Sequence, residues 1–304
     1  MKTALVINPL ANHGQSEHLI EGINSLIREF DDPVILMTER PGHAVELARE
    51  AVDKGAELMI AVGGDGTVHE TVNGMVEGGK SKATLGIIPI GSGNDLAFGM
   101  GYSKDLNEAV STVYKGRRQW IDLARLEDDQ GRSRLATNGI GIGFDATVTI
   151  QSRTITRIHG FPMYALATLR TIALYFQAPK ARIHFDDELV EQQILLLAIG
   201  LGPRVGGGFY LTPDALHDDD LLDSCTVNPV SRPTMLSMLP RVMRGSHTTS
   251  KHVKMCRSLV VDIESELPLP IHVDGEIFAY PDDNVRRLTV TSLAKGLPVM
   301  TPVV

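Results

Sequence analysis

Three short stretches of this chain hold the residue types that phosphoryl chemistry uses. The first is Gly63-Gly64-Asp65-Gly66-Thr67, which follows an apolar run at 58–62 and precedes Val68-His69-Glu70-Thr71-Val72-Asn73. The pattern predicts a buried strand that empties into a glycine loop and then a helix. Glycines without a Cβ permit positive φ and close approach of a ligand, and successive backbone N–H groups at a helix N-terminus suit a polyphosphate. Asp65 sharpens the reading. A carboxylate inside an anion-binding loop repels phosphate unless a Mg²⁺ or a proton on an incoming hydroxyl stands between them. A plain Gly-Asp-Gly turn at a strand end is the alternative for this stretch taken alone.

The second stretch is Gly91-Ser92-Gly93-Asn94-Asp95, between a strand-like run at 84–90 and a helical pattern at 96–100. Two strand–loop–helix units thus offer glycine, hydroxyl and amide groups at the carboxyl edge of one sheet, where open α/β sheets bind ligands. Helix capping by Asn94 and Asp95 explains one such loop but not the pair. The third stretch is His272-Val273-Asp274-Gly275-Glu276. A hydroxyl is a poor nucleophile at neutral pH, and a carboxylate within about 3 Å could take its proton as the bond to a γ-phosphoryl forms. Glu276 is the candidate base. Asp274-Gly275 is also a strong hairpin-turn signal, and both readings can hold. A fourth feature is the acidic run at 213–223, whose crowded carboxylates repel one another and suit a hard divalent cation or, equally, a solvated turn.

The elements that must position these residues follow from periodicity. Apolar, β-rich runs at 3–7, 33–37, 58–62 and 85–89 alternate with helical patterns at 16–30, 43–54 and 68–76. This alternation predicts an α/β domain with a doubly wound, mainly parallel sheet covered on both faces. After Trp120-Ile121-Asp122-Leu123-Ala124 the pattern changes. Short strand candidates at 133–140, 181–185, 193–199, 221–227, 258–263 and 286–290 fit a mainly antiparallel, sandwich-like second domain. At 304 residues the chain exceeds the roughly 250–300 at which single cores stop growing, so two domains are expected. The boundary falls near Leu126, giving 1–126 and 127–291, with the polar stretch 127–131 either a linker or a hairpin.

Composition narrows the partners. With 43% apolar and 22% charged residues and a formal charge of −8, the chain reads as an ordinary folded protein. The charge argues against nucleic acid as the main partner and against purely electrostatic adhesion to anionic lipid. Cys225 and Cys256 form no CxxC and read as inert thiols of a reducing compartment. The N-terminal apolar run meets polar residues too soon for a signal peptide and reads as a first strand. The longest apolar helical pattern, 161–176, is shorter than the about 20 residues a bilayer span needs and is interrupted by Arg170, so no transmembrane segment is expected.

Residues 63–67 match the GGDGT signature shared by diacylglycerol kinases, sphingosine kinases, NAD kinases and, more loosely, phosphofructokinases. Asn8-Pro9 after the first strand, Thr38 followed by Gly42-His43-Ala44, the 91–95 loop and the 272–276 motif are ordered as in diacylglycerol-kinase-like lipid kinases, including their bacterial soluble branch. The chain resembles that family over essentially its whole length. NAD kinases lack the C-terminal motif. The resemblance implies ATP- and Mg²⁺-dependent transfer of the γ-phosphoryl group to a hydroxyl of diacylglycerol or a related lipid, in phospholipid biosynthesis. It implies a nucleotide in the interdomain cleft, contacted by Asn8, Pro9, Thr38, Gly64, Asp65, Gly66, Thr67, Val68, His69, Glu70 and Ser92. Ser92 stands where Thr is usual and keeps the hydroxyl.

By the same resemblance Glu276 is the proton acceptor, Asp274 helps bind metal or orient it, and Asp65 is a competing base, as in NAD kinases. His272 is read as structural. A Mg²⁺ in the acidic loop would take the Asp219 side chain and the carbonyls of Leu216 and Leu221. Asp220, at a position that is commonly Gly, bears on that turn. Residues 292–304 are expected to return to the first domain. The 161–176 helix is either a core helix or a wall of the lipid site and an interfacial contact. The implied enzyme is cytoplasmic, meets its lipid transiently at the inner face of the membrane, and is compatible with a homodimer. The alternatives are an NAD or other small-molecule kinase, and a nucleotide-binding sensor without turnover; intact Asp65 and Glu276 argue against the sensor.

Overall fold

The computed structural model describes residues 2–11 and 16–303, with the side chains of 16–20 left aside. The chain forms two compact units, Met1–Asp122 with Lys295–Val304, and Leu123–Ala294. Both passages out of the first unit meet at Asp122. This fully buried carboxylate accepts the Lys295 amide at 2.7 Å.

The first unit runs β1 (Thr3–Ile7), α1 (Ser16–Arg28), β2 (Val34–Met37), α2 (His43–Asp53), β3 (Leu58–Gly63), α3 (Asp65–Met75), a small hairpin of β4 (Val76–Glu77) and β5 (Lys80–Ser81), β6 (Thr84–Pro89), α4 (Asp95–Gly99) and α5 (Leu106–Lys115). The strands pair in parallel in the order β2-β1-β3-β6, and Val299 of the returning chain extends β6 in parallel opposite Leu85. β1, β3 and β6 are buried along their length because each is apolar on both faces, as a parallel sheet between helix layers requires. α2 packs on α3, and α1 on α5. The helix expected from Val68 begins three residues earlier, at Asp65, so the acidic residue of the glycine loop lies inside the first helical turn.

The second unit begins within the long strand β7 (Arg117–Asp128) and continues through β8 (Ser133–Ala136), β9 (Gly139–Gly143), α6 (Phe144–Ser152), α7 (Phe161–Leu174), β10 (Lys180–Phe185), β11 (Glu188–Gln193), β12 (Leu196–Gly200), β13 (Leu222–Val227), α8 (Arg232–Val242), β14 (Val253–Ser258), β15 (Val260–Ser265), β16 (Ile271–Val273), β17 (Glu276–Ala279) and β18 (Arg287–Thr301). One antiparallel sheet has the order β14-β13-β12-β9-β16-β17; a second runs β11-β10-β15 and the first half of β18. Ile142, Leu197 and Ile271 of the first sheet share a core with Ile183, Ile263 and Val290 of the second, which makes the unit a sandwich. β10 shows the cause, with Ala181, Ile183 and Phe185 inward and Lys180, Arg182 and His184 outward.

Three expectations are adjusted. The single strand at 133–140 is two, because Thr137 and Asn138 leave the ladder to donate to Asp274. The strand expected from 193 starts at Leu196. The apolar helix α7 is buried on one face only, where Ile172 joins a core cluster with Leu195, Val230 and Met235. Its small residues Ala167, Thr168 and Thr171 face inward with Ile172, while Leu166, Leu169 and Leu174 face out.

Candidate active site

Within the first unit, four neighbouring strands deliver the expected residues to one edge. Thr38 follows β2, Asn8 and Pro9 follow β1, Gly64–Thr67 follow β3, and Gly91–Asp95 follow β6. Backbone and side-chain bonds then lock the edge. Thr38 N donates to Ile7 O at 2.9 Å, Asn8 N to Val62 O at 3.2 Å, and Asn8 Nδ2 to Thr67 Oγ1 at 3.3 Å. The Asp65 carboxylate accepts Asn94 N at 2.7 Å on Oδ2 and Asp95 N at 2.6 Å on Oδ1, so it clasps the second glycine loop to the first. A Cβ on Gly91 would overlap the Gly64 Cα, and one on Gly64 would lie 3.1 Å from the Gly91 Cα. These two loops therefore touch backbone to backbone, and that approach demands glycine in addition to any ligand.

Val68 N is bonded to Gly64 O at 3.1 Å, and the amides before it open the N-terminus of an eleven-residue helix, a place suited to phosphate oxygens. Val68 and His69 are buried, so their side chains belong to the interior. Glu70 accepts Gly42 N at 2.8 Å and Ala44 N at 3.2 Å, capping α2 and drawing the Thr38–Gly42 segment to α3. Ser92 is the exposed tip of its loop.

In the second unit the β16–β17 hairpin presents Glu276. Asp274 and Gly275 have φ of 50° and 82°, the two left-handed residues of a tight hairpin turn. Asp274 Oδ1 accepts Asn138 N and Gly139 N at 2.9 Å, and Oδ2 accepts Thr137 N at 2.9 Å and Thr137 Oγ1 at 3.0 Å. Four acceptances match the four lone-pair directions of a carboxylate, so Asp274 holds the turn in place. Glu276 is handled differently. Its side chain is 39% exposed and its Oε2 meets Arg153 Nη2 at 2.6 Å.

The acidic loop is neither bare nor fully solvated. Arg257 donates to Asp223 Oδ1 at 3.0 Å and to the Asp214 carbonyl at 3.1 Å, and lies 3.7 Å from Asp219 Oδ2. Burial pushes the Asp223 carboxyl upward, against the opposing pull of Arg257. Burial likewise pushes the His217 imidazole down to about 4. Asp219 Oδ1 accepts Leu221 N at 3.2 Å, and Asp220 adopts φ 68°, the conformation a glycine would supply and one that Asp tolerates. The turn expected of this loop thus forms with Asp220 in place. Its donor set, one carboxylate and the carbonyls of Leu216 and Leu221, consists of hard oxygens that fit Mg²⁺.

Residues 2–126 match the diacylglycerol kinase catalytic domain, and residues 138–290 match the YegS C-terminal NAD kinase beta sandwich-like domain. A YegS-like lipid kinase of Chromohalobacter salexigens is 30% identical over 283 residues, 89% of each chain. The chain belongs to the diacylglycerol kinase family. A diacylglycerol kinase of Mycobacterium tuberculosis is 28% identical over 92% of this chain and 90% of its own. The solved structure of a diacylglycerol kinase from Bacillus anthracis superposes with a TM-score of 0.72 at 21% identity, covering 99% of this chain and 96% of that one. Yeast NADH kinase complexed with NADH gives 0.53 at 11% identity, covering 100% and 84%. These two are likenesses of fold.

Sequence reading missed Arg153 and Arg257, and also Asp145, whose Oδ2 lies 2.9 Å from His272 Nε2 beside the β16–β17 turn. Asp145 had a signal, since Gly141-Ile142-Gly143-Phe144 before it repeats the strand–glycine–helix pattern read elsewhere. Arg153 and Arg257 had none, because their partners lie over a hundred and about thirty residues away in the chain, respectively. The loop contact makes a direct prediction. Gly91→Ala should destabilise the protein by about 1–3 kcal/mol in thermal or denaturant unfolding, by overpacking. Ser92→Ala, one residue on at the exposed tip, should change it by less than about 0.5 kcal/mol. Equal effects would mean that the loops do not depend on their backbone contact.

Proposed function

We propose that the protein is an ATP- and Mg²⁺-dependent lipid kinase that transfers the γ-phosphoryl group to a hydroxyl of diacylglycerol or a related lipid. The observation that carries this reading is the contrast among three carboxylates. Asp65 and Asp274 accept backbone amides at 2.6–2.9 Å through both oxygens, and taking a proton would forfeit those bonds. Glu276, on its hairpin tip, meets a half-exposed guanidinium and is the carboxylate best placed to receive one.

In the proposed reaction the amides opening α3 and the loops at 63–67 and 91–95 bind the triphosphate, with Asn8, Pro9, Thr38, Glu70 and Ser92 shaping the nucleotide site. Asp65 keeps the two loops in register. Glu276 removes the proton of the lipid hydroxyl while its oxygen bonds to the γ-phosphorus and the bond to the departing ADP breaks. Mg²⁺ bound with ATP would neutralise charge on the phosphates; separately, Asp219, Leu216 O and Leu221 O of the second unit would hold a Mg²⁺ of their own.

α7 is the proposed lipid-facing element. Its outward Leu166, Leu169 and Leu174, followed by exposed Tyr175 and Phe176, are too apolar for a solvated face. A cavity of about 280 Å³ lined by Phe144, Leu174, Tyr175, Phe176, Pro179 and Leu269 adjoins its end. Residues 146–185 contain no Asp or Glu; of their five Lys and Arg residues, Arg153 and Arg182 pair with Glu276 and Glu191, and Arg157, Arg170 and Lys180 add positive charge to the segment in a chain of net charge −8. Among the described residues no helix is long and apolar enough to cross a membrane, so the proposed contact is peripheral.

Three measurements test this reading. Glu276→Gln should lower turnover by about 10²–10⁴ with the ATP dissociation constant nearly unchanged; near-normal turnover would sink the base and return the role to Asp65. Replacing Leu169 and Leu174 together by Gln should release the protein from anionic vesicles and raise KM for vesicle-borne lipid, while kcat on a short-chain, water-soluble diacylglycerol stays the same. Unchanged vesicle binding would remove α7 from the interface. Asp219→Ala should reduce activity at saturating ATP and be partly rescued by high Mg²⁺, whereas Asp218→Ala should do little; equal small effects would leave the run a solvated turn.

A further inference from the structure

Helix α6 meets the Asp274-Gly275 turn from both of its ends. Asp145 lies in its first turn, and its Oδ2 is 2.9 Å from Nε2 of the buried His272. The other ring nitrogen, Nδ1, accepts the Gly275 amide at 3.3 Å. An acceptor on Nδ1 and a carboxylate on Nε2 place the imidazole hydrogen on Nε2, donated to Asp145. At the opposite end Arg153, the residue that closes α6, points Nη2 at the Gly275 carbonyl at 3.5 Å and at Glu276 Oε2 at 2.6 Å. The helix spans about 12 Å between these two residues at the usual rise per residue. Through Arg153 it therefore holds the Gly275 carbonyl and the Glu276 side chain directly, and through His272 it reaches the Gly275 amide.

Gly141 on β9 shows that room has been made for this arrangement. A Cβ there would overlap both the Asp145 carboxylate and the His272 ring. Gly141 pairs directly with His272 across the β9–β16 ladder, so the pair can lie flat over the strand only because that position carries no side chain. From the other side the Asp274 carboxylate is fastened to residues 137–139, so both flanks of the turn are held.

We propose that α6 is a brace for the general base. Asp145, through His272, and Arg153 are positioning residues that keep Glu276 in the one orientation from which it can take the hydroxyl proton. The inference rests on Glu276 being that base. Arg153 makes both contacts through the single Nη2, so an ammonium at that position could keep part of the hold. A shift of about 1 Å in a reacting group costs on the order of a hundredfold in rate, while ground-state binding of nucleotide or lipid need not change.

Steady-state kinetics on the full chain, with each variant made in the parent and in a Glu276→Gln background, tests the brace. Arg153→Gln and Asp145→Asn should each lower kcat about tenfold or more in the parent with KM for ATP and lipid nearly constant, and Arg153→Lys should recover part of the loss. In the Glu276→Gln background the same substitutions should change kcat less than about twofold, because the group they position is already inert. Equal losses in both backgrounds would mean a general structural role and overturn the brace. Parental kcat in both variants, with Glu276→Gln impaired, would overturn it too while leaving the base intact. Near-normal turnover of Glu276→Gln alone would instead remove the base, and is read from that variant independently. Should Asp145→Asn fold poorly, Arg153→Gln decides, since Arg153 is a half-exposed surface side chain.

Discussion

A carboxylate accepting successive backbone amides is the interaction on which both units depend. In the first unit Asp65 takes Asn94 N and Asp95 N, and Glu70 takes Gly42 N and Ala44 N. In the second, Asp274 takes the amides of Thr137, Asn138 and Gly139, and Asp186 those of Leu259 and Val260. Loops that turn sharply leave amides without ladder partners, and a charged acceptor satisfies two or three at once with bonds worth about 1.5–3 kcal/mol each. A chain with eight more acidic than basic charges thus places several of its acids where they organise loops.

Glycine follows from the same constraint. Loops pulled together by one carboxylate must approach closely, and at Gly64 and Gly91 the two backbones meet with no room for a methyl group. The glycines that suggest a phosphate cradle are therefore required twice, by the packing of the loops and by the openness of the α3 N-terminus. Gly141 repeats the logic in the second unit, where it vacates the space that the Asp145–His272 pair fills.

Charge and apolar surface are distributed with equal economy. The acids concentrate in loops such as 213–223, where Arg257 binds three of them or their carbonyls, while 146–185 is free of acids and carries the outward leucines of α7. On α7 Ala167, Thr168, Thr171 and Ile172 face inward while Leu166, Leu169 and Leu174 face outward, the reverse of the usual solvated helix.

The sequence by itself determined the fold class, the alternation of strands and helices in the first unit, the hairpin at Asp274-Gly275 and the family, because these rest on local signals: period, glycine and turn chemistry. β1 lies where its apolar run predicts, and so, within a residue or two, do β2, β3 and β6. Only the tertiary structure decided what each acidic residue does. Whether a carboxylate caps a loop, pairs with a guanidinium or stands open depends on groups far along the chain, such as residue 94 for Asp65, 137 for Asp274 and 153 for Glu276. It likewise decided which face of α7 is buried, since Thr168 and Thr171 lie inward while Leu166, Leu169 and Leu174 lie outward, against the polarity the residue types suggest.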